Sequence, residues 1–499
     1  MAVDTPRTSD AQQALTAFGE LLERQGLRTR LVSTKDGPAV RCWDPRRGVH
    51  VQEIGHDGAW LTWRARRLTS ETSRERDLQV GAGLVAAQAR GADVGTVPAS
   101  MPASMPASMP GAAWVKLALL AHGVAVDDSF TAWFAGETAA VRRRNFYNSP
   151  VHHHDAAALP QEIRLLHPGQ VPVTVAVNVY GAGEWRLVHD GTQPAVWCER
   201  LGITWPVEVP ADLGSLRQDP DLAQLCNLYG GSALSFFSPR SCYFFSDGTQ
   251  CRFCSLAGTA AQTAYANRLT PAQVGAAVQA VLAADGDRVN QVMIVGGNER
   301  NLDHGFRRHV ELARAAAEAV AASPASGRVS VHLVTMPPAD HGLIDELASV
   351  GGVHVGFNLE AWSRSAFEQI APGKAADYGH DRIVEALGRL VQVVGAFRAH
   401  SILIAGLEPA ASTLEGAAAL AAMGVSPIIN AYHSDVHSAL GLSVRPSYES
   451  LVQIAVGLSQ LHRRYPIQPY WKGCGRNALD YEASHGMFAG GPLALGGAR

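Results

Sequence analysis

Apolar residues in the second half of the chain occur in short continuous runs that alternate with longer amphipathic segments. Runs of this length predict buried β-strands, and the segments between them predict α-helices. Apolar strands joined by helices indicate a parallel sheet covered by helices, and six such units suit an open barrel of the α/β class. The predicted strands are 233–237, 289–295, 329–335, 353–359, 400–405 and 426–431, and the predicted helices are 271–284, 307–321, 343–350, 381–393 and 413–423.

In the first hundred residues, the apolar segments are shorter and follow one another more closely. They predict four short strands between two helices, which suits a small accessory α/β domain at 1–97. From Pro98 to Pro110 the chain repeats Pro-Ala-Ser-Met, and proline with small residues forms a semi-rigid spacer, so we place a linker at 98–111. The predicted strands are 29–32, 39–43, 49–54 and 60–63, and the helices are 11–24 and 78–89.

Residues 112–227 mix apolar segments with polar clusters, and we interpret them as an α/β extension of the catalytic region. The adjacent histidines at 152–154 would point in different directions on an extended loop, so a solvated loop is the first interpretation and metal or substrate contact the alternative. The basic run at 142–144 is interpreted as a solvated face that could hold an anion. Residues 436–499 are expected to form a helical or loop extension that closes the barrel.

Composition narrows the class of ligand. At 499 residues, with 47% hydrophobic and 17% charged residues, the chain can build two or three domains with substantial cores. The formal net charge is −3, so no global field would hold the protein on nucleic acid or on an anionic membrane. Neither a signal peptide nor a run of about twenty apolar residues stands in the sequence, and we expect a cytoplasmic protein that acts on a small molecule.

Three of the seven cysteines form the main candidate for chemistry. Cys242, Cys251 and Cys254 fall directly after the first barrel strand, at the end of the sheet where barrel active sites lie. An odd number of unevenly spaced cysteines does not suit a secreted disulfide framework. Three thiolates are fewer than a closed structural metal site needs, so we expect a metal centre with an open coordination position.

The cysteine stretch resembles the cluster loop of the radical S-adenosylmethionine (radical SAM) superfamily, which follows the first strand of a partial (β/α)6 barrel of the TIM type and ends in Cys-x-aromatic-Cys. Phe253 fills the aromatic position. The resemblance covers about residues 228–435, and it implies a [4Fe-4S] cluster on the three cysteines, S-adenosylmethionine at the open iron, and Phe253 near adenine. The family usually has three residues between the first two cysteines, whereas this chain has eight. The longer loop costs only about 0.7 kcal/mol more to close.

The second barrel strand ends in Gly296-Gly297-Asn298-Glu299, which is similar to the family's Gly-Gly-Glu motif. The resemblance implies that the glycines let the backbone approach the cofactor, and that Asn298 or Glu299 holds its amino group. The alternative is an ordinary turn after a strand, because Gly-Gly-Asn is common in turns.

Two later strands carry further candidates for cofactor binding. Asn358 and Glu360 share one face of the fourth strand because side chains alternate along a strand. The resemblance implies that they contact the ribose or the methionine part of the cofactor, and the alternative is a strand end that emerges into water. The fifth strand, with Ile404 and Gly406, is similar to the family's stretch beside adenine, although it lacks the first glycine.

Three residues after the last strand are candidates for catalysis. Tyr432 and His433 follow the sixth strand directly, and polar or aromatic residues at a barrel mouth suit substrate contacts. Cys474, between two glycines, is expected to donate a hydrogen atom to a product radical, to bind substrate, or to be an inert buried cysteine.

The resemblance implies a defined reaction class. A reductant such as flavodoxin or ferredoxin would supply an electron, S-adenosylmethionine would be cleaved to a 5'-deoxyadenosyl radical, and this radical would take hydrogen from a small-molecule substrate. Cys474 is the only cysteine after Cys254, so a second all-cysteine cluster in the tail is not expected. The expected outcome is a rearrangement, cleavage, dehydrogenation or epimerisation.

Three alternatives remain open from the sequence. The same cluster could cleave a different carbon–sulfur bond and give a 3-amino-3-carboxypropyl radical. Cys226 could replace Cys242 among the ligands. A zinc-stabilised α/β binding protein, with Cys226 or a histidine as fourth ligand, would also use these cysteines, although a large barrel needs no structural zinc to fold.

Overall fold

The structure, a computed structural model, describes residue 23 and residues 28–34, 37–43, 52–56, 60–63, 66–69, 111–136, 159–167, 171–180, 184–262, 265–441, 444–489 and 492–493. The chain divides into two units, Met1–Met109 with Leu166–Pro172, and Pro110–Leu165 with Val173–Arg499. Several predicted features lie outside the described residues, namely the helix at 78–89, nearly all of the helix at 11–24, the repeat at 98–110, and the clusters at 142–144 and 152–154.

The first unit contains a five-stranded antiparallel sheet in which each strand pairs with the next one along the chain. Short connections between consecutive antiparallel strands are typical of hairpins. Four of the strands lie at or close to the positions that the sequence predicted, and the fifth was not predicted. The strands are β1 (Arg28–Thr34), β2 (Gly37–Trp43), β3 (Gln52–His56), β4 (Trp60–Trp63) and β5 (Arg66–Thr69).

The second unit begins with a six-stranded sheet of order β6-β9-β10-β11-β7-β8, in which only β6 and β9 run parallel. Its core includes the fully buried side chains of Trp114, Trp185 and Trp205. The strands are β6 (Ala125–Val126), β7 (Glu162–Leu165), β8 (Val173–Ala176), β9 (Trp185–His189), β10 (Pro194–Cys198) and β11 (Ile203–Glu208), and the helices are α1 (Ala112–His122), α2 (Asp128–Gly136), α3 (Gly214–Gln218) and α4 (Pro220–Leu225).

The second sheet of this unit has one antiparallel edge strand followed by six parallel strands in chain order. Inward residues of the first and last parallel strands, Ala233 and Ile428, share one buried cluster with Tyr470 and Trp471. The sheet is therefore curled, and the predicted half-barrel is confirmed. The strands are β12 (Asn227–Tyr229), β13 (Ala233–Phe237), β14 (Gln291–Val295), β15 (Ser330–Val334), β16 (His354–Gly356), β17 (Ala399–Ala405) and β18 (Val425–Ala431).

Helices connect the parallel strands, and side chains cap several of them. The longest helix between β13 and β14 begins with a capping box between Thr270 and Gln273 and has Pro271 in its first turn. Within the described residues, no helix has the length and apolar character needed to cross a bilayer. The helices are α5 (Tyr243–Ser246), α6 (Leu256–Gln262), α7 (Pro271–Asp285), α8 (Leu302–Ala321), α9 (Arg364–Ile370), α10 (Pro372–Asp377), α11 (His380–Val394), α12 (Ala410–Ala422), α13 (Tyr448–Arg464) and α14 (Asp480–Ser484), with 3-10 helices at Gly286–Arg288 and His341–Ser349.

Two predicted elements differ in form from the observed ones. The fourth strand was predicted over 353–359, but β16 is shorter because side chains replace two of the later backbone bonds between it and β17. The Asn358 side chain accepts a hydrogen bond from the Ile402 amide (3.3 Å), and the Leu359 amide donates to the Ser401 hydroxyl (3.1 Å). The helix predicted at 343–350 is a 3-10 helix, which the apolar pattern alone does not distinguish from an α-helix.

Three histidines lie inside the barrel on neighbouring strands, His332 on β15, His354 on β16 and His400 on β17. The rings of His332 and His354 stack with their centroids 4.6 Å apart. Burial lowers the pKa of His354 to about 3 and holds the pKa of His332 and His400 well below the usual value. All three imidazoles are therefore neutral.

A buried ion pair links α1 to the segment that follows β18. Lys116 donates to Glu482 and to the carbonyl of Gly475, each at 2.7 Å, and both charged side chains are almost fully buried. Since a buried charge without its partner is costly, this pair constrains how the segment after β18 packs.

We predict that Lys116→Met lowers the free energy of unfolding of the second unit by about 3–5 kcal/mol, because it leaves Glu482 buried and uncompensated. Denaturant unfolding of the full chain would measure this loss. The double change Lys116→Met with Glu482→Leu should recover most of it. In the matched control, Arg364→Met breaks an exposed ion pair with Asp381 and should cost at most about 1 kcal/mol. Equal losses in the two single variants would contradict the prediction.

Candidate functional site

A cavity of about 320 Å³ lies at the carboxyl ends of the parallel strands. Side chains from strand ends and from the connections that follow them form its wall, and Phe253 and Ile404, which were predicted near adenine, are both part of it. The lining residues are Phe237, Cys242, Phe244, Phe245, Cys251, Phe253, Cys254, Ser255, Leu256, Val295, Gly296, Gly297, Asn298, Val334, Thr335, Met336, Asn358, Glu360, Lys374, Ile402, Ile404, Asn430, Ala431, Tyr432, His433 and Asn477.

The three cysteines predicted as metal ligands, Cys242, Cys251 and Cys254, all line this cavity. A closed structural zinc site needs four ligands, whereas an iron–sulfur cluster held by three cysteines leaves one iron open. Three thiols on one cavity wall are therefore a donor set that fits such a cluster.

The cavity holds two of these thiols in their protonated form when no metal is bound. Burial raises the pKa of Cys251, an effect that the charge of Lys374 opposes, and burial raises the pKa of Cys254 to about 11. Because only the thiolate is a good metal ligand, metal binding at this site must release protons.

The eight-residue spacer of the cysteine motif is a folded segment that contains α5. Phe244 is fully buried, the Tyr243 hydroxyl donates to Asp377 (2.8 Å), and the Gly373 amide donates to the Thr249 carbonyl (3.0 Å). A Cβ on Gly373 would lie 2.3 Å from the Phe244 ring, so only glycine fits there. The spacer is therefore packed against α10 and forms part of the cavity wall.

The two glycines after β14 pack against the start of the cysteine loop. A Cβ on Gly296 would lie 2.3 Å from the Ser238 carbonyl oxygen, and a Cβ on Gly297 would lie 2.1 Å from that of Ser241. The Asn298 carbonyl accepts a hydrogen bond from the Tyr243 amide (3.0 Å), which continues this contact. Both glycines line the cavity, and their lack of a side chain is needed for the loop to approach β14.

The structure separates the two residues that the sequence left as alternatives. Asn298 lines the cavity. Glu299 does not, because its carboxylate bonds to Arg308 (3.0 Å), Arg268 (2.9 Å) and His304 (2.7 Å). Those three partners use the carboxylate oxygens of Glu299, so Asn298 is the residue placed to meet a ligand.

Asn358 and Glu360 both line the cavity, and Lys374 from α10 joins them. The Lys374 ammonium donates to the Glu360 carboxylate (2.6 Å) and to the Asn358 carbonyl (3.2 Å), and both side chains of the ion pair are 8% exposed. Burial alone would lower the pKa of Lys374, but the negative charge of Glu360 raises it above the usual value, so the ammonium stays charged.

Glu360 also has an unusual backbone. Its φ is +69°, in the left-handed region that residues other than glycine rarely adopt. Two backbone bonds of 2.8 Å hold it beside β17, one from its amide to the Ile402 carbonyl and one from the Ile404 amide to its own carbonyl. Strain of this kind persists only where the surroundings fix it, and it is common in ligand sites.

Polar residues after β18 form another part of the wall. Tyr432 and His433, predicted as substrate contacts, line the cavity together with Asn430 and Asn477. The Tyr432 hydroxyl bonds to Ser438 (3.0 Å), and the Asn477 amide nitrogen lies 3.3 Å from His433 Nδ1. This group can offer several hydrogen bonds to a polar ligand.

Besides Glu299, two predicted site residues do not line the cavity. Gly406 has φ +97° and turns the chain after β17, where a Cβ would lie 2.9 Å from Pro446. Cys474 is fully buried beside Gln291 at the amino end of β14, and burial raises its pKa to about 12. It packs with the core cluster of the barrel, so the geometry suits an inert buried cysteine rather than a hydrogen donor at the cavity.

Several cavity residues were not found from the sequence. Thr335 and Met336 directly follow β15, and strand-end position alone could have suggested them. Lys374 comes from a connection remote from any strand end. For Lys374 the available signal was a Pro-Gly-Lys sequence in an otherwise apolar stretch, and it does not indicate which cavity the lysine faces.

No family model matches the chain, and no curated protein matches it. The structure is similar to solved structures at low identity. SuiB of Streptococcus suis bound to S-adenosylmethionine has 14% identity and a TM-score of 0.30, over 47% of this chain and 46% of that one. A radical SAM methyltransferase from Sphaerobacter thermophilus has 14% identity and a TM-score of 0.34, over 59% of this chain and 81% of that one.

Coproporphyrinogen III oxidase (HemN) of Escherichia coli, described as a radical SAM enzyme, has 13% identity and a TM-score of 0.30. The likeness covers 49% of this chain and 55% of HemN. The chain thus spans about half the length of SuiB and of HemN.

Proposed function

We propose that this chain is a radical SAM enzyme that holds one [4Fe-4S] cluster on Cys242, Cys251 and Cys254. The observation that carries the proposal is the convergence of these three thiols with Asn298 and Glu360 on one cavity at the carboxyl ends of a parallel half-barrel. Three thiolate donors leave one iron of such a cluster open for a ligand.

When bound, the cluster and S-adenosylmethionine supply the radical chemistry, which is the homolysis of a carbon–sulfur bond after one-electron reduction. The protein positions the reactants. Asn298 and the Glu360–Lys374 pair offer hydrogen bonds to the polar groups of S-adenosylmethionine, and Phe253 and Ile404 offer apolar surface to its adenine. The apolar residues of the cavity exclude water from the reacting atoms.

The substrate in this proposal is a small polar molecule. Tyr432, His433, Asn430 and Asn477 present hydroxyl, imidazole and amide groups to the same cavity, and they suit a ligand with several hydrogen-bonding groups. The proposed electron donor is a flavodoxin or a ferredoxin.

We predict that anaerobic reconstitution gives a brown protein with about four irons per chain, and that substitution of any one of the three cysteines by alanine removes most of that iron. Iron analysis and absorbance near about 400 nm would measure this. Cys226→Ala and Cys474→Ala are matched controls, since both residues are buried outside the cavity, and both should keep their iron. Loss of iron in Cys226→Ala, with retention in Cys242→Ala, would reassign the ligands.

Product analysis of the reduced enzyme tests the bond that is cleaved. Release of 5'-deoxyadenosine supports the proposed radical, whereas methylthioadenosine would indicate a 3-amino-3-carboxypropyl radical instead. Substrate-dependent release with candidate metabolites would then narrow the reaction. A colourless protein that retains zinc and releases neither product would replace the proposal with the zinc-stabilised binding protein.

A second prediction concerns the two adjacent residues after Gly297. Asn298→Ala should raise the Kd for S-adenosylmethionine about tenfold or more, because it removes a hydrogen bond to a charged group worth about 1.5–3 kcal/mol. Glu299→Gln should change the Kd by less than about threefold, since Glu299 bonds to cations outside the cavity. Anaerobic equilibrium dialysis with iron-loaded protein would measure both. A larger effect of Glu299→Gln would refute this assignment.

A third prediction tests the buried pair. Lys374→Met should raise the Kd for S-adenosylmethionine about tenfold or more while the iron content stays near that of the unaltered protein, because Glu360 loses the cation that orients it. Lys472→Met is the matched control, because Lys472 contacts the Arg328 carbonyl and does not line the cavity. An unchanged Kd in Lys374→Met would show that the pair only stabilises the fold.

A further inference from the structure

The histidines His332, His354 and His400 form a second group of potential metal ligands. One ring nitrogen from each lies within 4.8 Å of the others, and His354 Nδ1 lies 3.1 Å from His400 Nε2. His332 and His400 are fully buried, and His354 is partly exposed, which leaves a route for an ion from solvent. We call these residues the histidine triad.

The histidine triad lies inside the barrel but outside the cavity. Side chains that point inward alternate along each strand, so His332 shares its face with Val334, and His400 shares its face with Ile402. Val334 and Ile402 line the cavity, and His332 and His400 stand two positions earlier on the same strands. The triad is therefore one layer nearer the amino ends of the strands than the cavity floor.

Unsatisfied polar atoms around the triad indicate that a ligand is missing from this layer. Nδ1 of His332 is buried and has no hydrogen-bond partner among the described residues, and neither has the buried hydroxyl of Tyr470. The Tyr470 ring meets the His332 and His400 rings edge-on, at centroid distances of 4.4 and 5.0 Å. Buried polar atoms are almost always paired, because an unpaired one costs about 1–3 kcal/mol.

We propose that the histidine triad binds one divalent transition-metal ion of the zinc type. Imidazole nitrogen is a preferred ligand of Zn²⁺, and two nitrogens on a tetrahedral zinc ion lie about 3.3 Å apart for Zn–N bonds of about 2.0–2.1 Å. His354 Nδ1 and His400 Nε2 share a hydrogen bond of 3.1 Å, which is close to that separation, so an ion could take the place of the shared proton with little movement. Water or the Tyr470 hydroxyl would complete the coordination. The ion would join β15, β16 and β17 beneath the cavity, and the proposal does not depend on the proposed function.

The test uses full-length protein in which Cys242, Cys251 and Cys254 are all replaced by alanine, so that thiolates cannot contribute. After treatment with a chelator, the protein is titrated with Zn²⁺ alone against a chromophoric indicator, and with Co²⁺ to record its visible absorbance. We expect about one tight site per chain and a Co²⁺ spectrum of nitrogen ligation. His400→Gln in this background should weaken Zn²⁺ binding at least about a hundredfold.

Three further variants keep the test decisive. His462→Gln is the matched control, because His462 is, like His354, a partly exposed histidine, but it lies on α13 outside the triad, and the Zn²⁺ affinity of this variant should be unchanged. Replacement of His152, His153 and His154 by alanine should also leave the tight site intact. Should His400→Gln fail to fold, His354→Gln, at the partly exposed residue, gives the same comparison. Absence of a tight site, equal affinity in the triad variants, or loss of binding with the 152–154 variant would each overturn the proposal.

Discussion

The candidate site depends on one steric constraint. The cysteine loop packs directly against the backbone of two glycines, at positions where no larger side chain would fit. Gly297 meets the start of the loop, and Gly373 meets its middle, with distances from an added Cβ of 2.1 Å to the Ser241 oxygen and 2.3 Å to the Phe244 ring. Because backbone is much stiffer than a surface side chain, these contacts fix the loop at both places. The long spacer is thereby folded into the cavity wall, and the three thiols reach one cavity despite their unusual spacing.

The same packing brings a charge into the cavity. Gly373 and Lys374 are neighbours on α10, so the contact that seats the loop also places the ammonium 2.6 Å from Glu360. A buried cation needs a partner, and Glu360 supplies it from a strained backbone conformation held by β17. Electrostatics and packing in the site are therefore coupled, because a shift of α10 would disturb both the loop and the ion pair.

The apolar runs predicted the barrel well, since a strand buried on both faces leaves a strong signal in the sequence. They did not predict where β16 ends. At that point the Asn358 side chain, rather than a backbone carbonyl, accepts the hydrogen bond of the Ile402 amide, and a pattern of apolar residues carries no information about this replacement. Residues at strand ends, such as Gly297 and Asn298, could be placed from topology alone. Lys374 could not, because its position depends on how α10 packs. Nor could the sequence separate Asn298 from Glu299, since the three side chains that bond to Glu299 come from other elements.

The period of two along each strand divides the barrel interior into layers with different chemistry. On β17, His400 lies in one layer and Ile402 in the next, and on β15 His332 and Val334 repeat the arrangement. Two residues advance a strand by about 6.6 Å, so an apolar layer one side chain thick separates the histidine triad from the cavity. An ion that joined β15, β16 and β17 in the lower layer would stiffen the strands whose ends carry Thr335, Asn358 and Ile404. Since a ligand site needs its contacts held to a fraction of an ångström, the lower layer would support the upper one without touching its ligand.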